Sequence, residues 1–303
     1  MDDPRYWLNR AEYPFALREF DSGEGWMNYV DEGQGRTVLF VHGNMTWSFL
    51  FRRMIEGLSD RYRCVALDHL GFGLSEKPGD ADYRPEGHSR RFGKFMEHMA
   101  LRDVTLVVHD VGVPIALDWV ADHPDVVRDI VIFNSNLWNL DKNLYAMKLA
   151  MMMMNPINRL YYRMIQSAPG FVLPAAFADR HRMPRSIERQ YLKPFGYHDD
   201  RIGVYTMIEC WKRSGPWFDS VGAKVASLKA KKVLLMWGHK DPMLGEEDYK
   251  RMLEIFPNAS TVEFAESGKF VPEEQPERVT GEIQWFLMNS GNPSLSLIQQ
   301  LGG

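Results

Sequence analysis

Short runs dense in Val, Ile, Leu and aromatic residues recur along the chain and alternate with stretches whose apolar residues return at helical spacing. The first pattern is that of strands buried on both faces and the second that of amphipathic helices. Their alternation predicts a mostly parallel sheet covered by helices on both sides, an α/β fold. Eight strands are expected. FALREFD and GWMNYVDEG form an initial pair, followed by RTVLFVHGN, YRCVALDHLG, VTLVVHD, VRDIVIFNSN, KKVLLMWGHKD and STVEFAESG. Helices are expected over residues 47–58, 88–101, 111–122, 245–256 and 274–289. Residues 137–228 break the rhythm, with LAMMMMNPINRLYYRMI, several prolines and no parallel-strand run. This predicts a helical cap inserted into a core made of residues 1–136 and 229–290, with an irregular tail at 291–303.

Composition narrows the class. The 303 residues are 45% hydrophobic and 25% charged, enough for one large core with an inserted subdomain. A formal net charge of -4 and no extended basic run argue against nucleic acid or an anionic membrane as partner. The start, MDDPRYWLNRAEYPF, lacks the basic and then apolar pattern of a secretory signal, and no stretch has the length of a membrane span, so a cytoplasmic location is expected. Cys64 and Cys210 fall in a strand and a helix and read as packed thiols. Neither a cofactor nor a metal is expected, and the oligomeric state is left open.

The chemistry is expected at the turn in VTLVVHDVGVPIALDWV, where a buried-type strand gives way to a helix. A sharp strand-to-helix turn needs small residues near its apex and lifts the apex side chain clear of the sheet, with a helix N-terminus behind it. Gly112 meets that need, although Val108 is bulkier. Asp110 at the apex is a candidate carboxylate nucleophile; the competing reading is a plain helix N-cap. Two further strand ends favour chemistry. His42-Gly43-Asn44 closes the third strand with a glycine that lets backbone N–H groups approach a reacting atom. Asp241 in WGHKDPML closes the seventh, placed to orient a base.

The ordered set HGN, DHLGFGLSEKP, VVHDVG, WGHKDPMLG and SGKFVPEEQPE resembles the α/β-hydrolase superfamily, most of all the haloalkane dehalogenases and their β-lactone-decarboxylase relatives, over about residues 25–290. The resemblance implies the α/β-hydrolase fold, with Asp110 attacking a carbon to form a covalent ester. It also implies anion-stabilising backbone N–H groups at Asn44 and Val111, an Asn44 side chain near the leaving group, and Asp241 as the acid following the seventh strand.

Two departures stand out against that family. Lys269 occupies the position of the family histidine, and an ammonium ion with an ordinary pKa of about 10.4 has no lone pair to activate water. An Asp110–Lys269–Asp241 ionic cluster is expected instead. Three accounts of it remain open: an engineered ester trap, a natural water-free enzyme, and a ligand-binding protein. Val111 replaces a halide-binding tryptophan beside the nucleophile, and a valine side chain donates no hydrogen bond. Trp138, Trp211 and Trp217 are the candidates to replace it, against ordinary packing. Met151 within the run 151–154, with Phe171, Phe177, Tyr161 and Tyr162, predicts an apolar pocket for a small apolar molecule. Tyr161, Tyr162, Tyr191 and Tyr197 also raise an epoxide-hydrolase alternative. His109 and His239 are poor substitutes for the missing base, the first by strand alternation and the second by its place on a turn.

Overall fold

The computed structural model describes residues 7–155, 157, 176–179 and 183–289, apart from the side chains of Leu149 and Met153. Eight strands form one sheet in the order β1-β2-β4-β3-β5-β6-β7-β8. They are β1 (Arg18–Asp21), β2 (Trp26–Glu32), β3 (Thr37–Val41), β4 (Arg63–Leu67), β5 (Val104–His109), β6 (Val127–Phe133), β7 (Lys232–Gly238) and β8 (Ser260–Phe264). β2 runs antiparallel to both β1 and β4, and β4, β3, β5, β6, β7 and β8 are parallel. All eight expected strands are present, because runs such as TVLFV and VTLVVH are buried along their whole length and have no face to give to water.

Helices α1 (Arg52–Leu58), α2 (Pro85–His98), α3 (Gly112–Asp122), α8 (Glu246–Ile255) and α10 (Pro276–Asn289) match the five expected ones to within a few residues at their ends. The short α9 (Val271–Glu274) precedes α10. Two clusters of buried side chains lie on the two sides of the sheet, alternating along β3, where Leu39 and Val41 join one and Val38 and Phe40 the other. Cys64 and Cys210 are buried free thiols. No helix among the described residues is long and apolar enough to cross a membrane.

Between β6 and β7 lie α4 (Leu144–Met154), α5 (Arg185–Leu192), α6 (Ile202–Arg213) and α7 (Gly215–Lys224), with no strand among the described residues. α4 packs on α6, whereas α7 packs on α3, and Lys224 there pairs with Asp118 and Asp122 at 2.9 and 3.1 Å. The chain thus rejoins the layer beside the sheet before residue 229, the boundary suggested by the sequence. Helical periodicity alone does not separate a cap helix from a layer helix. The tail 291–303 lies outside the described residues.

Close backbone approaches hold the loops at the C-terminal edge of the sheet. A Cβ at Gly238, the last residue of β7, would stand 2.0 Å from the Gly268 carbonyl oxygen. At Gly268 it would meet the Ala176 carbonyl oxygen at 2.4 Å. Neither neighbour is a flexible side-chain end, so Gly238→Ala must push the 266–270 loop away. We predict that it lowers stability by about 1–3 kcal/mol, measured by chemical denaturation.

Candidate active site

Asp110 follows β5 and has a left-handed backbone, φ +53°, a conformation rare for a residue with a side chain. The bend is fixed on several sides. The Asp110 carbonyl accepts from Val113 N–H at 3.0 Å and from Ser135 Oγ at 2.6 Å, and Asp110 N–H reaches the Phe133 carbonyl at 3.3 Å. A non-glycine residue held so firmly in a strained turn is the local geometry of a nucleophile elbow. The N-cap position of α3 belongs to Val111, and the Asp110 side chain turns elsewhere.

Its Oδ2 accepts the Asn44 backbone N–H at 2.9 Å. That approach depends on Gly43, where a Cβ would lie 2.3 Å from the Asp110 Cβ. The expected second donor, Val111 N–H, makes no hydrogen bond to Asp110 among the described residues, so Asn44 alone holds Oδ2. The Asn44 side chain is buried; its Oδ1 is taken by Met45 N–H at 2.9 Å, and its Nδ2 has no hydrogen-bond partner among the described residues.

Oδ1 faces the ammonium. Lys269 Nζ lies 2.8 Å from Asp110 Oδ1 and 3.8 Å from Asp241 Oδ2, and all three side chains are buried. The 2.8 Å contact is a buried ion pair that holds the two charges together. Burial opposes the charge on Lys269, but the carboxylates of Asp110 and Asp241 outweigh it and hold the amine above its ordinary pKa. Burial likewise opposes ionisation of Asp110, yet Lys269, followed by His109 and Asn44 N–H, keeps the carboxyl below its usual range. Asp241 goes the other way. Burial raises it, and Lys269 and the N–H groups of Met243 and Leu244 offset only part of that rise.

Residues outside the expected set hold the three in place. Asn134, at the end of β6, exchanges hydrogen bonds with the backbone of Gly238 at 2.8 and 2.9 Å and donates to Asp241 Oδ2 at 3.2 Å. Met243 and Leu244 N–H groups donate to Asp241 Oδ1 at 2.9 and 3.2 Å. The Lys269 loop is anchored by Lys269 N–H to the Ala176 carbonyl at 2.9 Å and by Gly268 N–H to Glu274 at 2.8 Å. Behind it, Arg52 grips Glu273 with two contacts of 2.7 Å, and the Tyr191 hydroxyl bonds Glu273 at 2.5 Å. Asn134, Ser135 and Glu274 carry no motif signal, although each sits at a strand end or loop already marked by one.

The remaining candidates divide. His109 is buried and its Nε2 meets the Lys269 carbonyl at 3.0 Å, so it braces the loop. His239 pairs with Glu263 and Glu246 at 2.8 and 3.4 Å. His42 and His69 brace each other: His42 Nε2 accepts His69 N–H at 2.9 Å. Phe177 packs on Phe270 beside Lys269, ring centroids 5.1 Å apart. Trp138 lies under the Arg251 guanidinium, 4.4 Å away, and lines a polar cleft with Asp219 and Asp248. Trp211 is buried in the core, and Trp217 is half-buried against Phe218. Ordinary packing accounts for these three tryptophans.

Met151 is 54% exposed on α4, where four consecutive methionines must point all round a helix, so the described residues give its expected place in a pocket no support. Tyr197, 77% exposed, and Tyr191, engaged with Glu273, give the epoxide alternative no support. Tyr161, Tyr162 and Phe171 lie outside the described residues.

A parallel sheet carrying a strained acidic elbow after its fifth strand, faced by loops after the third, seventh and eighth, matches a known architecture. A family profile described as alpha/beta hydrolase fold covers residues 36–276. The chain belongs to the alpha/beta hydrolase fold family. Within this family it is 34% identical to haloalkane dehalogenase 2 of Mycobacterium tuberculosis over 275 residues, 89% of this chain and 94% of that protein. It is 28% identical to the cis-3-alkyl-4-alkyloxetan-2-one decarboxylase of Xanthomonas campestris, over 91% of this chain and 97% of that one. The crystal structure of a haloalkane dehalogenase from Agrobacterium tumefaciens C58 superposes with a TM-score of 0.83 at 22% identity, covering 93% of this hydrolase-fold chain and 100% of that structure, a likeness of fold.

The pair has a consequence for stability. Asp110, with its pKa lowered, adds stability above the ordinary carboxylate range that is lost as pH falls through its folded value. Lys269, with its pKa raised, adds stability below its ordinary value that is lost as pH rises through the folded one. Asp241, raised, works against folding once it is ionised. We predict that Lys269→Met costs about 3–5 kcal/mol at neutral pH, by leaving two buried carboxylates uncompensated. In denaturation measured across pH, the deficit shrinks toward acid pH as those carboxylates protonate.

Proposed function

We propose that this haloalkane-dehalogenase-like member of the family uses Asp110 as a carboxylate nucleophile toward a small apolar electrophile. Asp110 Oδ1 attacks the electrophilic carbon of an alkyl halide or a strained lactone, while Oδ2 stays on Asn44 N–H. The free Asn44 Nδ2 meets the leaving group, and Asp241 partners Lys269. The inserted helical segment within residues 137–228 serves as the lid over this site, and among its described helices α4 packs on α6. The observation that carries the reading is the strained Asp110 elbow, with one carboxylate oxygen on a backbone donor and the other turned to Lys269.

Attack requires the Lys269 ammonium to move off Oδ1, after which the same charge offsets that of the departing anion. A charged Lys269 does not serve as the base for a water-dependent second step. This supports a second reading in which a β-lactone is opened and decarboxylated without activated water, in line with the decarboxylases among the similar proteins.

Incubation with 1-bromohexane tests the reading through bromide release, with about one bromide per chain expected. Asp110→Asn should abolish the release; equal release from that variant removes the proposed nucleophile. Lys269→His should turn this single event into steady release of many bromides per chain, because an imidazole there can act as a general base toward water.

A further inference from the structure

The site holds a second nucleophile that the first step uncovers. We infer that, once Asp110 carries an alkyl ester, Lys269 Nζ attacks the ester carbon, releasing the alcohol and leaving an Asp110–Lys269 amide cross-link, so that the hydrolytic cycle is replaced by a single self-limiting turnover. The inference rests on the reading of Asp110 as nucleophile.

Geometry comes first. In the resting protein Nζ lies 2.8 Å from Oδ1, the oxygen that would bear the alkyl group, so after it moves aside for the first step the amine is still next to the carboxyl it attacks. An amine held in contact with an ester has an effective concentration far above that of a water molecule, on the order of 10⁵ M or more for well-oriented groups. Asn44 N–H holds Oδ2, the ester carbonyl oxygen, where negative charge gathers as Nζ adds to Cγ. Asp241 Oδ2, 3.8 Å from Nζ on the other side, is the proton acceptor.

The trigger is the charge lost on esterification. In the resting protein, burial works to neutralise Lys269 and is overcome chiefly by the Asp110 carboxylate. An ester has no such charge, so burial then acts against Asp241 alone. Asp241 is itself a buried carboxyl raised above its ordinary pKa, and is therefore disposed to take the proton. Proton transfer leaves a neutral amine beside a neutral acid, with no uncompensated charge in the interior.

The balance closes without an outside reagent other than the alkyl halide. Asp110 Oδ1 displaces halide and becomes the ester. The Lys269 ammonium gives one proton to Asp241, the amine lone pair forms the N–Cγ bond, and the carbonyl π pair moves to Oδ2. As that pair returns, the Cγ–Oδ1 bond breaks. The departing alkoxide takes a second proton from nitrogen and leaves as the alcohol. The chain has then lost the elements of one water, and the alcohol carries an oxygen from Asp110.

Intact-protein mass spectrometry after incubation with excess 1-bromohexane, with bromide and hexanol measured in parallel, tests this. We expect about one bromide and one hexanol per chain, a protein lighter by one water, and a tryptic peptide pair joined through Asp110 and Lys269. Lys269→Arg retains the cation but cannot deprotonate, so it should release bromide, retain the hexyl group and form no hexanol. A wild-type chain that keeps a hexyl adduct, or that makes many hexanols with its mass unchanged, overturns the cross-link while leaving Asp110 as nucleophile. Absence of bromide release overturns both.

Discussion

The site depends on the contact between a buried carboxylate and a buried ammonium, Asp110 Oδ1 and Lys269 Nζ at 2.8 Å, at the C-terminal edge of a parallel sheet. Neither charge would be tolerated there alone, since an isolated buried ion costs several kcal/mol. Each keeps the other ionised: the lysine lowers the aspartate and the aspartates raise the lysine. On the proposed reading of Asp110 as nucleophile, this stability at rest comes at the expense of reactivity, because the ammonium covers the oxygen that would attack.

The rest of the architecture fixes the distance between these two groups. Strain at Asp110 is held by Val113 and Ser135, and the backbone of Asn44 comes within reach because Gly43 has no side chain. On the other side, Lys269 is anchored through its own N–H, its carbonyl, Glu274 and the Arg52–Glu273–Tyr191 group. Asp241 is set between them by Asn134 and two backbone donors. Within this frame Asp110, Lys269 and Asp241 form a buried charge cluster, and on the proposed reading its balance shifts when Asp110 is esterified.

Much of this was legible in the residues. Buried parallel strands announce themselves as unbroken apolar runs, and the order of HGN, VVHDVG, WGHKDPMLG and SGKFVPEEQPE implies that Asn44, Asp110, Asp241 and Lys269 meet, as they do. What escaped is equally physical. Asn134, Ser135 and Glu274 are polar residues at loop ends, and polar loop residues have no periodicity to reveal their partners. An all-round apolar helix shows no face, so the run 151–154 does not say which methionine meets a pocket, and Met151 is 54% exposed. The α7 helix was assigned to the insertion because its amphipathic pattern does not say which layer it covers.

Protonation of Lys269 is the direct test of the account. In protein labelled with ¹⁵N-lysine, the Lys269 Nζ resonance should report an ammonium from neutral pH up to the ordinary pKa of lysine, about 10.4, and beyond. A resonance that shows a neutral amine near pH 7 would contradict it.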